Sequence, residues 1–123
     1  MRTALLCLAA LMLAAPCSAR DLVLATYSPE AAGVSGKLVL GKAAGEDLVL
    51  SLQITSEKGA KCEFEGKCER IQQNAVRCRD DNADEHQYLK FKQLSDTRVL
   101  LESTYPADML CSAGLGLDGH YQR

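Results

Sequence analysis

Lys61-Cys62-Glu63-Phe64-Glu65-Gly66-Lys67-Cys68-Glu69 alternates without a break. Lys61, Glu63, Glu65, Lys67 and Glu69 carry charge; Cys62, Phe64, Gly66 and Cys68 between them are small or apolar. Successive side chains of a strand point to opposite faces, so the stretch reads as a half-buried β-strand. A helix, with about 3.6 residues per turn, would scatter the five charges around its circumference. Just upstream, Leu48, Leu50, Leu52 and Ile54 alternate with Val49, Ser51, Gln53 and Thr55 in the same way.

Weaker alternation extends over residues 22–27, 34–40, 75–79, 87–94, 98–104 and 115–121. Gly41-Lys42-Ala43-Ala44-Gly45, Glu57-Lys58-Gly59 and Ser95-Asp96 supply turn chemistry between these segments, and residues 80–84 form a longer polar connection. About eight strands at this spacing predict an all-β, antiparallel, up-and-down arrangement. Closing the sheet into a small barrel removes its exposed edges and is favoured over a sandwich.

The first nineteen residues follow a different rule. Met1-Arg2-Thr3 is short and basic, residues 4–15 are uncharged and apolar, and Pro16-Cys17-Ser18-Ala19 ends on small residues. This is the layout of an export signal cleaved after Ala19. An apolar run of that length is too short to span a bilayer as a helix. Residues 20–123 then form one exported β domain of 104 residues. A domain of that size gains from crosslinks. Periplasmic or secreted location permits them, and Cys62, Cys68, Cys78 and Cys111 remain to form them.

Their pairing follows from strand geometry. Six residues of extended chain separate Cys62 from Cys68 by roughly 20 Å, far beyond the reach of a disulfide. A hairpin turning at Gln72-Gln73-Asn74, with Asn74 in the left-handed position, sets Cys68 opposite Cys78 and Glu69 opposite Arg77. The predicted bridges are therefore Cys68–Cys78 and, by elimination, Cys62–Cys111.

Composition narrows the function classes. Residues 20–123 hold 13 basic and 16 acidic side chains, with no basic run. That argues against a nucleic-acid partner and shows no polybasic membrane segment. His86 and His120 are the only histidines, and no nucleophile motif accompanies them. Asp80, Asn82 and Asp84 have the spacing of the first calcium-loop ligands, but Glu85 and Phe91 stand where that loop needs glycine and glutamate. The cysteine spacings do not suit structural zinc. Glu63, Glu65 and Glu69 lie on the wet face of a strand, away from any apolar pocket that would tune a carboxyl for acid–base work. No enzyme activity, metal or cofactor is expected.

The C-terminal run from Cys111 through Gly114, Gly116, Asp118, Gly119, His120 and Tyr121, together with the strand opening at Cys62-Glu63-Phe64-Glu65-Gly66, resembles small exported bacterial proteins of unassigned function, which close on a cysteine, a glycine or alanine and G-x-Y. Size, export and β content also resemble the periplasmic lysozyme inhibitors, disulfide-bonded β proteins that insert a loop into the lysozyme cleft. Some carry S-G-x-Y on that loop; Gly119 and Tyr121 match, and Asp118 stands in place of the serine. Ser35-Gly36 repeats only the first half. The resemblance implies a non-enzymatic binding module of the envelope with a protein partner, a lysozyme or another wall hydrolase. Asp118, Gly119, His120 and Tyr121 would be its binding residues. An acidic chain would be steered toward cationic lysozyme. The rival expectation is an assembly protein of the envelope without inhibitory role, and a third is a small periplasmic enzyme.

Overall fold

The computed structural model describes residues 21–123. The export signal expected at 1–19 lies outside them. Eight strands run in chain order: β1 (Thr26–Pro29), β2 (Val34–Lys42), β3 (Leu48–Ser56), β4 (Lys61–Gln72), β5 (Ala75–Arg79), β6 (Leu89–Gln93), β7 (Arg98–Ser103) and β8 (Gly119–Gln122). Each pairs antiparallel with the next, and β8 returns to β1 through Ser28↔Gln122 and Pro29↔Tyr121. The result is a closed up-and-down barrel, so no sheet edge is left for edge-to-edge pairing.

The alternation in the sequence becomes the division between core and solvent. In β4, Cys62, Phe64 and Gly66 are buried and the charged residues between them exposed. In β3, Leu50, Leu52 and Ile54 point inward. With Tyr27, Leu38, Leu40, Val76, Leu89, Phe91, Val99, Leu101 and Tyr121 they form a continuous apolar core. Tyr27 and Phe91 meet edge to face at 5.7 Å, a favoured aromatic geometry. Gly66 is set by close approach: a Cβ there would lie 2.4 Å from the Arg79 carbonyl oxygen and 2.7 Å from the Phe64 ring.

Among the described residues one polar side chain, that of Gln93, is fully buried. Gln93 Oε1 accepts from the Val23 amide at 3.0 Å, and Gln93 Nε2 donates to the Ser95 carbonyl at 2.7 Å and to the Tyr27 hydroxyl at 3.1 Å. Tyr27 also donates to the Val23 carbonyl at 2.7 Å. This network explains the first correction to the sequence reading. Residues 22–25 do not begin a strand; they cross the end of the barrel as a strap, held by Val23 to Gln93, and β1 starts only at Thr26.

Other boundaries shift for similar local reasons. β2 runs through Gly41 and Lys42, which had read as turn. The short turn Ala44–Glu46 and the single helical turn α1 (Ala107–Leu110) leave no periodic trace. Residues 115–118 belong to a loop, and the last strand starts at Gly119.

Both predicted disulfides are present, Cys62–Cys111 and Cys68–Cys78, and every described cysteine is paired. They fit an oxidising compartment. The β4–β5 hairpin keeps the expected pairs Cys68↔Cys78, Glu69↔Arg77 and Lys67↔Arg79. Its turn differs. A register shift between Arg70 and Gln72 brings Gln72 opposite Ala75, so the connection is two residues rather than three, and Asn74 has no positive φ. Asn74 instead donates from Nδ2 to the Gln93 carbonyl at 3.0 Å, tying the hairpin to β6. Among the described residues no helix is long and apolar enough to cross a membrane.

Candidate functional site

The two ends of the barrel are unlike. One is closed by residues 43–47, 73–74 and 94–97 and by the 21–25 strap. The other carries residues 30–33, 57–60, 80–88 and 104–118, so the long connections gather at one end. Loops on a rigid scaffold are where binding groups concentrate.

The 104–118 loop is pinned along its length. Thr104 donates its amide to the Tyr88 carbonyl at 3.0 Å, and its hydroxyl accepts from the Tyr88 amide at 2.9 Å. The Tyr105 hydroxyl donates to Asp80 Oδ1 at 2.8 Å, and burial pushes that phenol up to about 12. Cys111 is bonded to Cys62, and the Ser112 amide donates to the Lys61 carbonyl at 2.8 Å. Ala113 (φ 52°) and Gly114 (φ 80°) then reverse the chain.

The loop shapes two adjoining grooves. The first, about 340 Å³, is lined by Tyr105, Pro106, Leu110 and Leu117 with Ser103 and Asp118. The second, about 280 Å³, lies over Glu30, Val34, Ile54, His120 and Tyr121, and Asp118 and Gly116 border both. Asp118 Oδ1 accepts from the Ser103 amide at 3.1 Å. Burial against the groove wall raises its carboxyl above the usual aspartate range, opposed by the Ser103 hydrogen bond and aided by the nearby charge of Glu102. Among the described residues Asp118 forms no ion pair. Glu30 is different: Arg98 binds it through Nε at 2.8 Å and holds its carboxyl below the usual range.

The four C-terminal candidates are therefore together at one groove border but differ in role. Asp118 and His120 are exposed. Gly119 opens β8 at φ 144°, a value that suits glycine. Tyr121 is buried, with its hydroxyl donating to the Leu117 carbonyl at 2.7 Å, and burial raises it strongly. It forms the floor of the second groove and fixes the loop above it. Glu30, Ser103, Tyr105, Pro106, Leu110 and Leu117 had no sequence signal pointing to a site. They are ordinary residue types brought to one place by loop closure.

The remaining candidates are spread elsewhere. His86 is exposed beside Glu85, and Asp84 Oδ1 accepts the His86 amide at 2.8 Å, a local loop contact. Glu63 and Glu65 face solvent along β4. Among the described residues no three His, Cys, Asp or Glu side chains converge as metal ligands. Comparison of the chain with protein families, with curated proteins and with solved structures found no match.

Proposed function

We propose that the protein is an exported, non-enzymatic binding module of the cell envelope. It engages a protein partner through the loop-bearing end of the barrel, and a lysozyme or other wall hydrolase is the first partner to test. The observation that carries this reading is the pair of grooves meeting at Asp118, on a loop crosslinked to the barrel by Cys62–Cys111. A loop held in this way loses little entropy on docking, which favours binding. The centre of the barrel is occupied by Leu38, Leu50, Leu52 and Phe91, so the grooves are a better place for a partner than the interior. Asp118 supplies a carboxylate for a cationic partner, with His120 beside it and Tyr121 beneath.

The test is a titration of the oxidised protein against lysozymes of several types, following residual wall lysis and binding heat. Stoichiometric inhibition of one type, weakened by Asp118→Asn, is the expected result. Binding heat absent with every type would refute the lysozyme reading. Capture experiments that return no envelope protein would then refute the wider one.

A further inference from the structure

The linear chain carries no basic run, yet strand pairing builds one. On the outer face of the barrel Lys67 stands opposite Arg79, and Arg77 opposite Lys90. Lys92 continues the same face of β6. Like charges directly opposite one another destabilise a sheet. Glu69 relieves part of this, accepting from Arg77 at 2.8 Å and Arg79 at 3.3 Å. Glu102 stands opposite Lys90. Among the described residues Lys67, Lys90 and Lys92 form no ion pair. Five cations thus stand with three carboxylates, Glu65, Glu69 and Glu102, on this face of a chain whose net charge is −2. The Arg77 and Arg79 guanidinium groups also lie over the Tyr88 ring, at 5.4 and 5.7 Å.

A second observation is independent of charge. The same face runs into exposed aliphatic side chains at the short-turn end. Ile71, at the register shift near the end of β4, and Leu94, just past β6, are both 38% exposed. Leu24, in the strap across this end, is 43% exposed. Asp21 at the same end is bonded to Arg70 at 3.0 Å, and Asp96 sits in the 95–97 turn. Three of the four large apolar side chains exposed among the described residues therefore lie at the short-turn end, toward which β4 and β6 carry these cations, while Met109 is at the loop end.

We propose that this face docks on an anionic lipid bilayer, with Lys67, Lys90, Lys92 and the two arginines at the headgroups and Ile71, Leu94 and Leu24 entering the acyl boundary. Cations supply attraction to an anionic leaflet, and apolar side chains supply burial that a soluble polyanion could not. The grooves at the opposite end would then point away from the membrane, free to meet a partner.

Vesicle sedimentation tests this with the oxidised protein, its N-terminus defined by mass spectrometry. Phosphatidylglycerol–phosphatidylcholine vesicles should bind it at low salt, and pure phosphatidylcholine vesicles should not. Lys90→Ala with Lys92→Ala should weaken binding about 30-fold, roughly fivefold per lysine. Ile71→Ser with Leu94→Ser, at exposed positions, should weaken vesicle binding while leaving any affinity for soluble polyphosphate unchanged. No binding of the unmodified protein to the anionic vesicles overturns the proposal. So does vesicle binding that is indifferent to Ile71 and Leu94 and fully competed by polyphosphate, which would mark a polyanion site.

Discussion

Removing the two disulfides one at a time separates their roles quantitatively. Cys62–Cys111 closes a sequence separation of 49 and Cys68–Cys78 one of 10. Constraint of the unfolded chain scales with the logarithm of loop length, giving about 4 kcal/mol for the first and about 2.7 kcal/mol for the second. Each pair contains one fully buried cysteine, Cys62 or Cys78. The packing lost in a double Cys→Ala variant is therefore similar and largely cancels in the comparison. Cys62→Ala/Cys111→Ala should be less stable than Cys68→Ala/Cys78→Ala by about 1.4 kcal/mol. Urea unfolding followed by circular dichroism measures this directly. For a slope of about 1.4 kcal/mol/M, the midpoint of the first variant falls about 1 M below that of the second. Equal midpoints, or the reverse order, would refute the chain-entropy argument. The two variants should also differ in binding. Only loss of Cys62–Cys111 removes the covalent tether of the 104–118 loop, so that variant should bind its partner more weakly than the Cys68→Ala/Cys78→Ala variant while both are folded.

Three further outcomes follow from the core and its polar network. Gly66→Ala should cost about 1–3 kcal/mol, because its Cβ meets the Arg79 backbone and the Phe64 ring; an unchanged urea midpoint would mean the strands part freely there. Gln93→Leu leaves the Val23 amide and the Ser95 carbonyl without their partner, costs about 2–3 kcal/mol, and should lose amide-exchange protection at Val23 first. Tyr105 is raised in the folded state to about 12 from its ordinary 10, so its contribution to stability is complete below pH 10 and is lost as pH rises toward 12. Thermal melts should therefore show a fall in that window that is shallower in Tyr105→Phe.

The strands of this barrel were legible where one face is wet and the other dry. From Lys61 to Glu69 every position declares its side, so strand, register and the Cys68–Cys78 bridge could all be derived from the residues alone. Legibility failed where a segment is fixed by a distant partner. Residues 22–25 look like a strand, but the buried Gln93, some seventy residues away, captures the Val23 amide and turns them into a strap. Residues 115–118 read as part of the last strand, but the Tyr121 hydroxyl and the Ser103 amide hold them as a loop.

The candidate site shows the same division. Asp118, Gly119, His120 and Tyr121 are contiguous and could be singled out from a short motif. Tyr121 is turned inward by the pairing of β8 with β1 and β7, and the groove beside it is shaped by a loop that the Cys62–Cys111 bridge ties to β4. The cationic face is the extreme case, since Lys67, Arg79, Arg77, Lys90 and Lys92 come from three strands and form no run in the chain. Sequence by itself determined which side chains avoid water, because period-two alternation is a local property of the backbone. Tertiary structure alone decided which charges and loops became neighbours, because closing a barrel sets residues side by side that the chain keeps far apart.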